Sequence, residues 1–251
     1  MKHTLLLSSL TLATTTSIFA GEPIPVSTPV SHENCWEFSV APYLWLAGID
    51  GTVGVPSLPP ASVDASFGDI WNNLDFAAFM AVEANKGKFK SFADFQYINL
   101  GSSATVPQLG SFKLDVEQVR IELGAGYEFY NNGSTSLTAY GAVMYNYLDN
   151  RLSGPMGNQA KASEGWVDPA IGLKINHAFT ECWYGNLTGE YGGFGVSSDQ
   201  TWQILAVLGY NFNERWAALG GYRHQAIDYS KNGFVYDTET SGPFLGFKYS
   251  F

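Results

Sequence analysis

The stretch Phe244-Leu245-Gly246-Phe247-Lys248-Tyr249-Ser250-Phe251 ends the chain with an alternation of two kinds of position. One set is apolar or aromatic throughout: Leu245, Phe247, Tyr249 and Phe251. The other set mixes Phe244, Gly246, Lys248 and Ser250. Successive side chains of a β-strand point to opposite faces, so this pattern predicts a strand with one wholly apolar face. The ending therefore favours an all-β protein.

Composition indicates what the apolar face meets. The chain has 251 residues, of which 45% are hydrophobic, 15% aromatic and only 14% charged, which is unusual for a secreted soluble domain. After residue 20 no run of about 18 apolar residues could form a membrane-spanning helix. A transmembrane barrel resolves the conflict, because its lipid-facing residues occupy only every second position.

The amino terminus has the features of an export signal. Lys2 and His3 begin it, an apolar segment follows, and Ile18-Phe19-Ala20 is a plausible cleavage site. We predict a signal peptide at 1–20, a flexible periplasmic arm at 21–35 and an outer-membrane β-barrel at 36–251.

Period-two patterns separated by turn residues predict ten strands. They begin near Trp36, Asp75, Phe89, Phe112, Ser136, Trp166, Trp183, Trp202, Trp216 and Val235. We predict a single transmembrane, antiparallel, up-and-down barrel of ten strands that is monomeric, with eight or twelve strands as alternatives. An even number of strands places both termini in the periplasm.

Predicted connections alternate in length, as short periplasmic turns and longer outer loops do. The short ones are 85–88, 131–134, 180–182 and 213–215, and the long ones are 49–74, 101–110, 150–165, 192–200 and 230–238. Within the first long loop, residues 66–74 predict a short helix over or in the mouth. In the fourth strand the apolar residues switch from one alternate set of positions to the other. This predicts either a bulge near Glu117 or a strand that has left the bilayer.

Aromatic residues fall at both predicted ends of the strands, where amphipathic rings favour the lipid headgroups. The periplasmic set is Trp36, Phe89, Phe129, Trp183, Phe212, Trp216 and Phe251. The outer set is Tyr97, Tyr147, Trp166, Tyr191 and Trp202.

Charged residues of the opposite parity must face the lumen. At similar mid-depth this parity places a predicted ion network of Asp94, Arg120, Glu122, Lys174, Glu190 and Arg223. Buried charges must pair whatever the function, so the network is either structural or the lining of a narrow path for small hydrophilic solutes. Tyr43, Trp45, Tyr140 and Tyr184 also point inward. The lumen is open if inward glycines such as Gly124, Gly126, Gly172, Gly209 and Gly221 align, and closed if aromatic rings fill them.

The chain resembles a largely uncharacterised family of proteobacterial outer-membrane barrels. The residues that carry the resemblance are 41–48 (APYLWLAG), 51–55 (GTVGV), 73–76 (NLDF), 93–97 (ADFQY), 220–223 (GGYR) and 242–246 (GPFLG). Leu245, Phe247, Tyr249 and Phe251 resemble the terminal insertion signature of Gram-negative barrels. The resemblance implies a location in the cell outer membrane. The partners it implies are outer-membrane lipid, lipopolysaccharide, periplasmic chaperones and the barrel-assembly machinery.

Catalytic patterns are weak. Omptin proteases have ten strands and need acidic residues with an Asp-His pair at the outer mouth, and lipid A deacylases need a His beside a Ser nucleophile. Here His224 and Asp228 have a different spacing from the omptin pair, and His224 is followed by Gln225 and Ala226. We predict that the protein is not an enzyme; an outer-membrane protease or lipid hydrolase acting at the extracellular mouth is the alternative.

The remaining sequence features predict no cofactor, no metal and no nucleic acid. His3, His32, His177 and His224 are scattered without metal-ligand spacing, and the net charge of −10 opposes nucleic-acid binding. Cys35 and Cys182 fall at the periplasmic rim, in an oxidising compartment. The two strands are too far apart for direct bonding, but the arm before Trp36 could bridge them, so a disulfide stays open.

Overall fold

The computed structural model describes residues 35–56, 59–106, 110–154 and 159–251. The predicted signal peptide and all but Cys35 of the predicted arm lie outside the described residues. The elements are β1 (Glu37–Trp45), β2 (Gly48–Gly54), β3 (Ala61–Ala65), α1 (Phe67–Asn72), β4 (Leu74–Lys86), β5 (Phe89–Val106), β6 (Gly110–Asn131), β7 (Thr135–Ser153), β8 (Gln159–Ala178), β9 (Trp183–Gly192), β10 (Gln200–Asn211), β11 (Trp216–Lys231) and β12 (Phe234–Ser250).

Ten of these strands form a closed wall. From β4 to β12 each strand pairs antiparallel with the next, and β1 closes the ring by pairing with both β4 and β12. After Leu46 and Ala47, β2 continues the line of β1 along β12. The first strand thus extends into the segment 49–74, which the sequence predicts as a loop. The predicted ten-stranded antiparallel barrel is confirmed.

The wall is taller than a bilayer requires. A membrane-spanning strand needs about 9–11 residues, whereas β6 has 22 and β8 has 20. Outward side chains are apolar around Leu123 and Ile171 and become charged farther out, at Asp115, Glu117 and Lys161. We call the part beyond the apolar band the outer crown. It comprises the described residues of 48–73, 99–118, 148–166, 193–200 and 226–240.

Three predicted outer loops are largely strand. The segments 101–110, 150–165 and 230–238 continue β5 to β8, β11 and β12 well beyond the lipid band. A two-residue turn, Asn232-Gly233, joins β11 to β12, and both residues have positive φ, 53° and 84°. An Asn-Gly turn of this kind is the preferred hairpin connection. The loop limits were wrong because the apolar alternation stops at the edge of the lipid, whereas strand pairing does not.

The first outer connection contains the β2–β3 hairpin and the predicted helix, α1. Ser66 caps α1: its hydroxyl accepts a hydrogen bond from the Asp69 amide, and the Asp69 carboxylate accepts one from the Ser66 amide. The helix buries none of its side chains, and Trp71 is 53% exposed. It therefore forms neither a packed lid nor a plug.

Pairing of β6 with β5 and β7 is continuous past Glu117, so the predicted bulge there is wrong. The register shifts instead between Glu128 and Tyr130. Among the described residues, no helix is both long and apolar enough to cross a membrane.

The lipid-facing surface follows the predicted parity. On β10, Ile204 and Leu208 are exposed while Gln203 is buried, and on β12 Leu245, Phe247 and Phe251 are exposed. All seven predicted periplasmic aromatics are exposed at the end of the barrel where the termini and the short turns lie. Trp166 is the exception in the outer set. It is only 4% exposed and points into the lumen, because it shares the parity of Asp168.

Candidate functional site in the lumen

A layer of polar side chains crosses the barrel at mid-depth. Five of the six predicted network residues, Asp94, Arg120, Glu122, Glu190 and Arg223, lie in it. We call this layer the mid-depth belt and define it as these five with Tyr43, Gln96, Tyr140, Gln203 and Gln225. Most of the ten side chains are fully or almost fully buried.

Arg223 ties β11 to the far side of the barrel. Its Nη1 lies 3.1 Å from Asp94 Oδ1 and donates at 3.0 Å to Tyr43 Oη, while Tyr43 donates to Asp94 Oδ2 at 2.9 Å. In the ring of ten strands, β11 and β5 have three strands between them on one side and five on the other. The Arg223–Asp94 pair therefore crosses the lumen.

Gln203 makes a second bridge across the lumen. Its side-chain oxygen accepts hydrogen bonds from Arg223 Nη2 at 2.8 Å and Nε at 3.1 Å. Its nitrogen donates to Glu190 Oε1 at 2.8 Å and to Glu122 Oε2 at 3.0 Å. Strands β10 and β6 are also separated by three and five strands, so the contact with Glu122 spans the barrel.

Arg120 completes the belt. Its side chain is 1% exposed, and Nη2 lies 3.5 Å from Glu122 Oε2 and 2.9 Å from Met144 Sδ. With the Gln225 amide oriented to satisfy its neighbours, Gln225 oxygen accepts from Arg120 Nε at 3.2 Å. Both guanidinium groups of the belt are thus held by partners on more than one strand.

Lys174 does not join the belt, which corrects the predicted network. It pairs with Glu83 at 2.5 Å, between β8 and β4, which again have three and five strands between them. This pair lies nearer the periplasmic end, where Lys90 and Glu128 are 3.6 Å apart. The predicted network is therefore two cross-lumen layers at different depths.

Aromatic rings occupy the space beside the inward glycines. A Cβ atom at Gly124 would overlap the ring of Phe92, and one at Gly172 would overlap Tyr140. Gly209 faces Tyr184 and Gly221 faces Phe244 in the same way. Because rings fill the space at these four positions, the four glycines do not line an open path, whereas Gly126 lines a cavity beside Glu128.

The outer end of the lumen contains an apolar cluster. Trp166 stacks on Tyr229 with ring centroids 4.2 Å apart, and Tyr229 Oη donates to Glu164 at 2.7 Å. The cluster members are Leu148, Trp166, Ile227, Tyr229, Phe234 and Tyr236. The β9–β10 connection also folds inward, where buried Ser198 donates from its amide and hydroxyl to Asp168 at 2.8 and 2.6 Å. The lumen is therefore packed above the belt.

Cavities lie mainly on the periplasmic side of the belt. One of about 190 Å³ reaches from Arg223 and Asp94 to Ser39 and Lys248, and a second of about 200 Å³ lies beside Lys90 and Glu128. Glu83 and Lys174 line both. On the outer side, a cavity beside Gln96 and Gln225 measures only about 20 Å³.

His224 and Asp228 point outward from β11, opposite in parity to Arg223. The ring of His224 stacks on Trp202 at 4.7 Å, and Nε2 lies 3.5 Å from Glu239 Oε2. Ser241 is its cross-strand neighbour, but no hydrogen bond joins the two side chains in the described part of the chain. Neither the Asp-His pair of an omptin nor a hydrogen-bonded Ser-His pair is present at His224.

Cys35 and Cys182 are exposed, free thiols. The disulfide that the sequence left open is not formed in the structure. Within the described ranges no group of three His, Cys, Asp or Glu side chains could hold a metal ion.

Sequence reasoning missed the glutamines of the belt, although it predicted that Tyr43 and Tyr140 point inward. Gln203 and Gln225 share the inward parity of Arg223, but only charged residues were selected as candidates. Buried amides connect ions because they both donate and accept. A search of the same parity for Gln and Asn would have found both.

Comparisons with known proteins agree with the barrel. No family model matches the chain, and no curated protein matches it. Among solved structures it is similar to the outer-membrane protease OmpT from Escherichia coli, with a TM-score of 0.50 and 12% identity over 86% of this chain and 97% of that one. The chain has the fold of an outer-membrane β-barrel.

Two further solved structures match less well in shape. One is a major outer-membrane protein from Thermus thermophilus, with a TM-score of 0.42, 15% identity and coverage of 87% of this barrel and 100% of that chain. The other is Ail, the attachment invasion locus protein of Yersinia pestis, with a TM-score of 0.38, 11% identity and coverage of 87% and 99%. At such identities the likeness concerns the fold alone.

Proposed function

We propose that this protein is a closed, structural outer-membrane barrel that does not conduct solutes and that holds a rigid crown at the cell surface. The observation that carries the proposal is the set of side-chain contacts that cross the lumen at successive depths. Lys174–Glu83, Arg223–Asp94, Gln203–Glu122 and Trp166–Tyr236 each join strands on nearly opposite sides.

Barrel size supports this proposal. An eight-stranded barrel has an interior that side chains can just fill, and ten strands add little to it. Here the inward glycines would supply the extra width, but Phe92, Tyr140, Tyr184 and Phe244 fill that space. A solute would have to displace both a charged layer and an aromatic cluster.

The crown supports a role at the surface. Its interior is the buried cluster around Trp166 and Tyr229, so it has an apolar core of its own beyond the lipid band. On its surface, Asp228 lies directly opposite Asp237, and Asp199 lies beside them. Rigid strands that carry exposed acidic residues suit contact with cationic partners or with the cation-bridged lipopolysaccharide surface.

The outward position of His224 supports the prediction that the protein is not an enzyme. A general base must reach the proton that it abstracts, and a nucleophile must lie within hydrogen-bonding distance of the base. His224 has Trp202 and Glu239 as its contacts instead. The prediction that Leu245, Phe247, Tyr249 and Phe251 direct membrane insertion is supported by their place on the closing strand β12.

Single-channel recording in planar bilayers tests the closed barrel. We expect the refolded wild-type protein to give no unitary conductance, while a general porin in the same bilayers does. Arg223→Ala removes the Arg223–Asp94 bridge but leaves Gln203–Glu122 and the outer cluster, so this variant should also stay silent.

Unitary steps from the wild-type protein would refute the proposal and establish a narrow channel, the second candidate, which the two periplasmic-side cavities favour. Steps from Arg223→Ala alone would show that the belt is a gate rather than a permanent closure. Migration of unheated samples on gels verifies that each variant is folded before recording.

A further inference from the structure

The cavity of about 190 Å³ on the periplasmic side of the belt has an uneven distribution of charge. Its cationic side chains are Lys174, Arg223 and Lys248, and its carboxylates are Glu83 and Asp94. Lys174 pairs with Glu83 and Arg223 with Asp94. The ammonium of Lys248 is left over, and no carboxylate pairs with it among the described residues.

The neighbouring cavity of about 200 Å³ provides an internal comparison. It is lined by Lys90 and Lys174 together with Glu83 and Glu128, and each of these charges has an opposite partner within 3.6 Å. The surplus positive charge is therefore specific to the cavity that contains Lys248. A charge that is largely removed from water is costly unless a counter-charge accompanies it.

A second unpaired polar group faces the same cavity. Tyr184 Oη is buried and has no hydrogen-bond partner among the described residues. Lys248 Nζ lies over the face of the Tyr184 ring, 5.2 Å from its centroid, so the ring is a cation–π contact of the ammonium and no ion pair neutralises its charge. Buried polar groups are normally hydrogen-bonded, and a hydroxyl without a hydrogen-bond partner near an ammonium without a carboxylate suits an acceptor that bears negative charge.

The apolar part of the cavity wall indicates that the ligand also carries an apolar group. Ala41, Leu205, Val207, Leu219 and Phe244 supply an apolar side. A dry cavity of about 150 Å³ accommodates benzene, so a volume of about 190 Å³ accommodates a small ring with one carboxylate. A small inorganic anion would make no contact with the apolar side of the cavity.

We propose that this cavity is a binding site for small monocarboxylates that carry a compact apolar group. The carboxylate receives hydrogen bonds from Lys248 Nζ and Tyr184 Oη, and the apolar group lies against Leu205, Val207 and Phe244. Arg223 and Asp94 form the inner end of the cavity, and Ser39 lies near the periplasmic rim. The ligand therefore enters from the periplasm, and the site is independent of whether the barrel conducts.

Isothermal titration of benzoate into the refolded full-length barrel, in a non-ionic detergent, tests this site. We expect saturable one-to-one binding that weakens about tenfold or more in Lys248→Gln, because a charge-assisted hydrogen bond is lost. Tyr184→Phe should weaken binding a few-fold, and Lys248→Arg should retain it. Lys90→Gln, in the charge-balanced cavity, is the matched control and should bind as the wild type does.

Benzamide and inorganic phosphate separate the contributions of charge and shape. Both should bind at least tenfold more weakly than benzoate. The site would be overturned if the wild type bound benzamide as tightly as benzoate, or if Lys248→Gln bound benzoate as tightly as the wild type does. The absence of saturable benzoate binding to the folded wild-type protein would also overturn it. Gel migration of unheated samples shows that the variants are folded, so loss of binding is not mistaken for loss of the barrel.

Discussion

The two halves of the lumen are filled in different ways. The periplasmic half contains ion pairs and two cavities of about 190 and 200 Å³, whereas the outer half contains stacked rings and a cavity of only about 20 Å³. The mid-depth belt separates them. One barrel thus combines an open polar pocket with an apolar interior that resembles the core of a soluble protein.

The difference follows from what surrounds each half. Within the bilayer the outer face is apolar, so inward positions are where polar side chains can pair away from lipid. Beyond the bilayer the wall has water outside, and an apolar interior then stabilises the crown by the ordinary hydrophobic effect. Trp166 and Tyr229 are therefore buried where the outward residues become polar.

The largest expected effect comes from emptying the outer half. Trp166→Ala removes a ring that packs against Tyr229, Phe234 and Tyr236, and should lower the free energy of unfolding by about 3–5 kcal/mol. Urea-induced unfolding in detergent or lipid vesicles measures it. Trp71→Ala, on the exposed helix α1, is the control and should change stability by less than about 0.5 kcal/mol. Equal effects would mean that the outer half is not a packed core.

An intermediate effect comes from overfilling the lumen near the belt. Gly172→Ala places a methyl group against the ring of Tyr140, whose hydroxyl is bonded to Glu190 at 2.9 Å. Overpacking of this kind should cost about 1–3 kcal/mol of unfolding free energy. At Gly189, on the outward face of β9, an added Cβ meets nothing within 4 Å, so Gly189→Ala should be nearly neutral. The same unfolding assay distinguishes the two, and a neutral Gly172→Ala would indicate room beside Tyr140.

The smallest expected effect concerns charge on the crown. Partial burial, then Asp237 and Asp199, raise the pKa of Asp228 above its usual range. The folded state therefore favours protonated Asp228, and this contribution to stability is lost as the pH rises through the raised pKa. At pH 7 the charged carboxylate is unfavourable, so Asp228→Asn should raise the melting temperature slightly, by the equivalent of about 0.5 kcal/mol or less.

Comparison of melting temperatures at two pH values tests this prediction. Below the usual pKa of an aspartate, wild type and Asp228→Asn should melt alike, since both then carry a neutral side chain. Asp237→Asn should raise the melting temperature at pH 7 by a similar amount, because it removes the negative charge that repels Asp228. A gain that persists in acid would point to a cause other than charge.

Much of the wall could be predicted from the sequence. Alternation gave the number of strands, the lipid-facing positions on β10 and β12, and the inward charges on β5, β6, β9 and β11. The ends of the strands could not be found in this way, because the alternating signal depends on lipid and β5 to β8 continue beyond it. The prediction that Trp166 belongs to the aromatic girdle is wrong because its parity, which it shares with Asp168, is inward.

The candidate site was predicted only in part. Parity identified Asp94, Glu122, Glu190 and Arg223 as inward. It does not show how deep each side chain lies along the barrel axis, nor which strands face each other across the lumen. Lys174 was therefore grouped with residues of another layer, and it pairs with Glu83 instead. The connecting role of Gln203 depends on its distance from both Glu122 and Glu190, which lie on strands far apart in the ring.

The sequence by itself determined the face on which each side chain lies, because the pleat of a strand has a period of two and lipid permits only apolar residues on one side. The alternation ending at Phe251 is enough to establish that. Only the tertiary structure decided which inward residues meet, because strand tilt and closure bring together positions such as Arg223 and Asp94 that lie far apart in the chain. Those contacts cross the lumen at mid-depth and leave Lys248 without a carboxylate partner in the pocket on the periplasmic side.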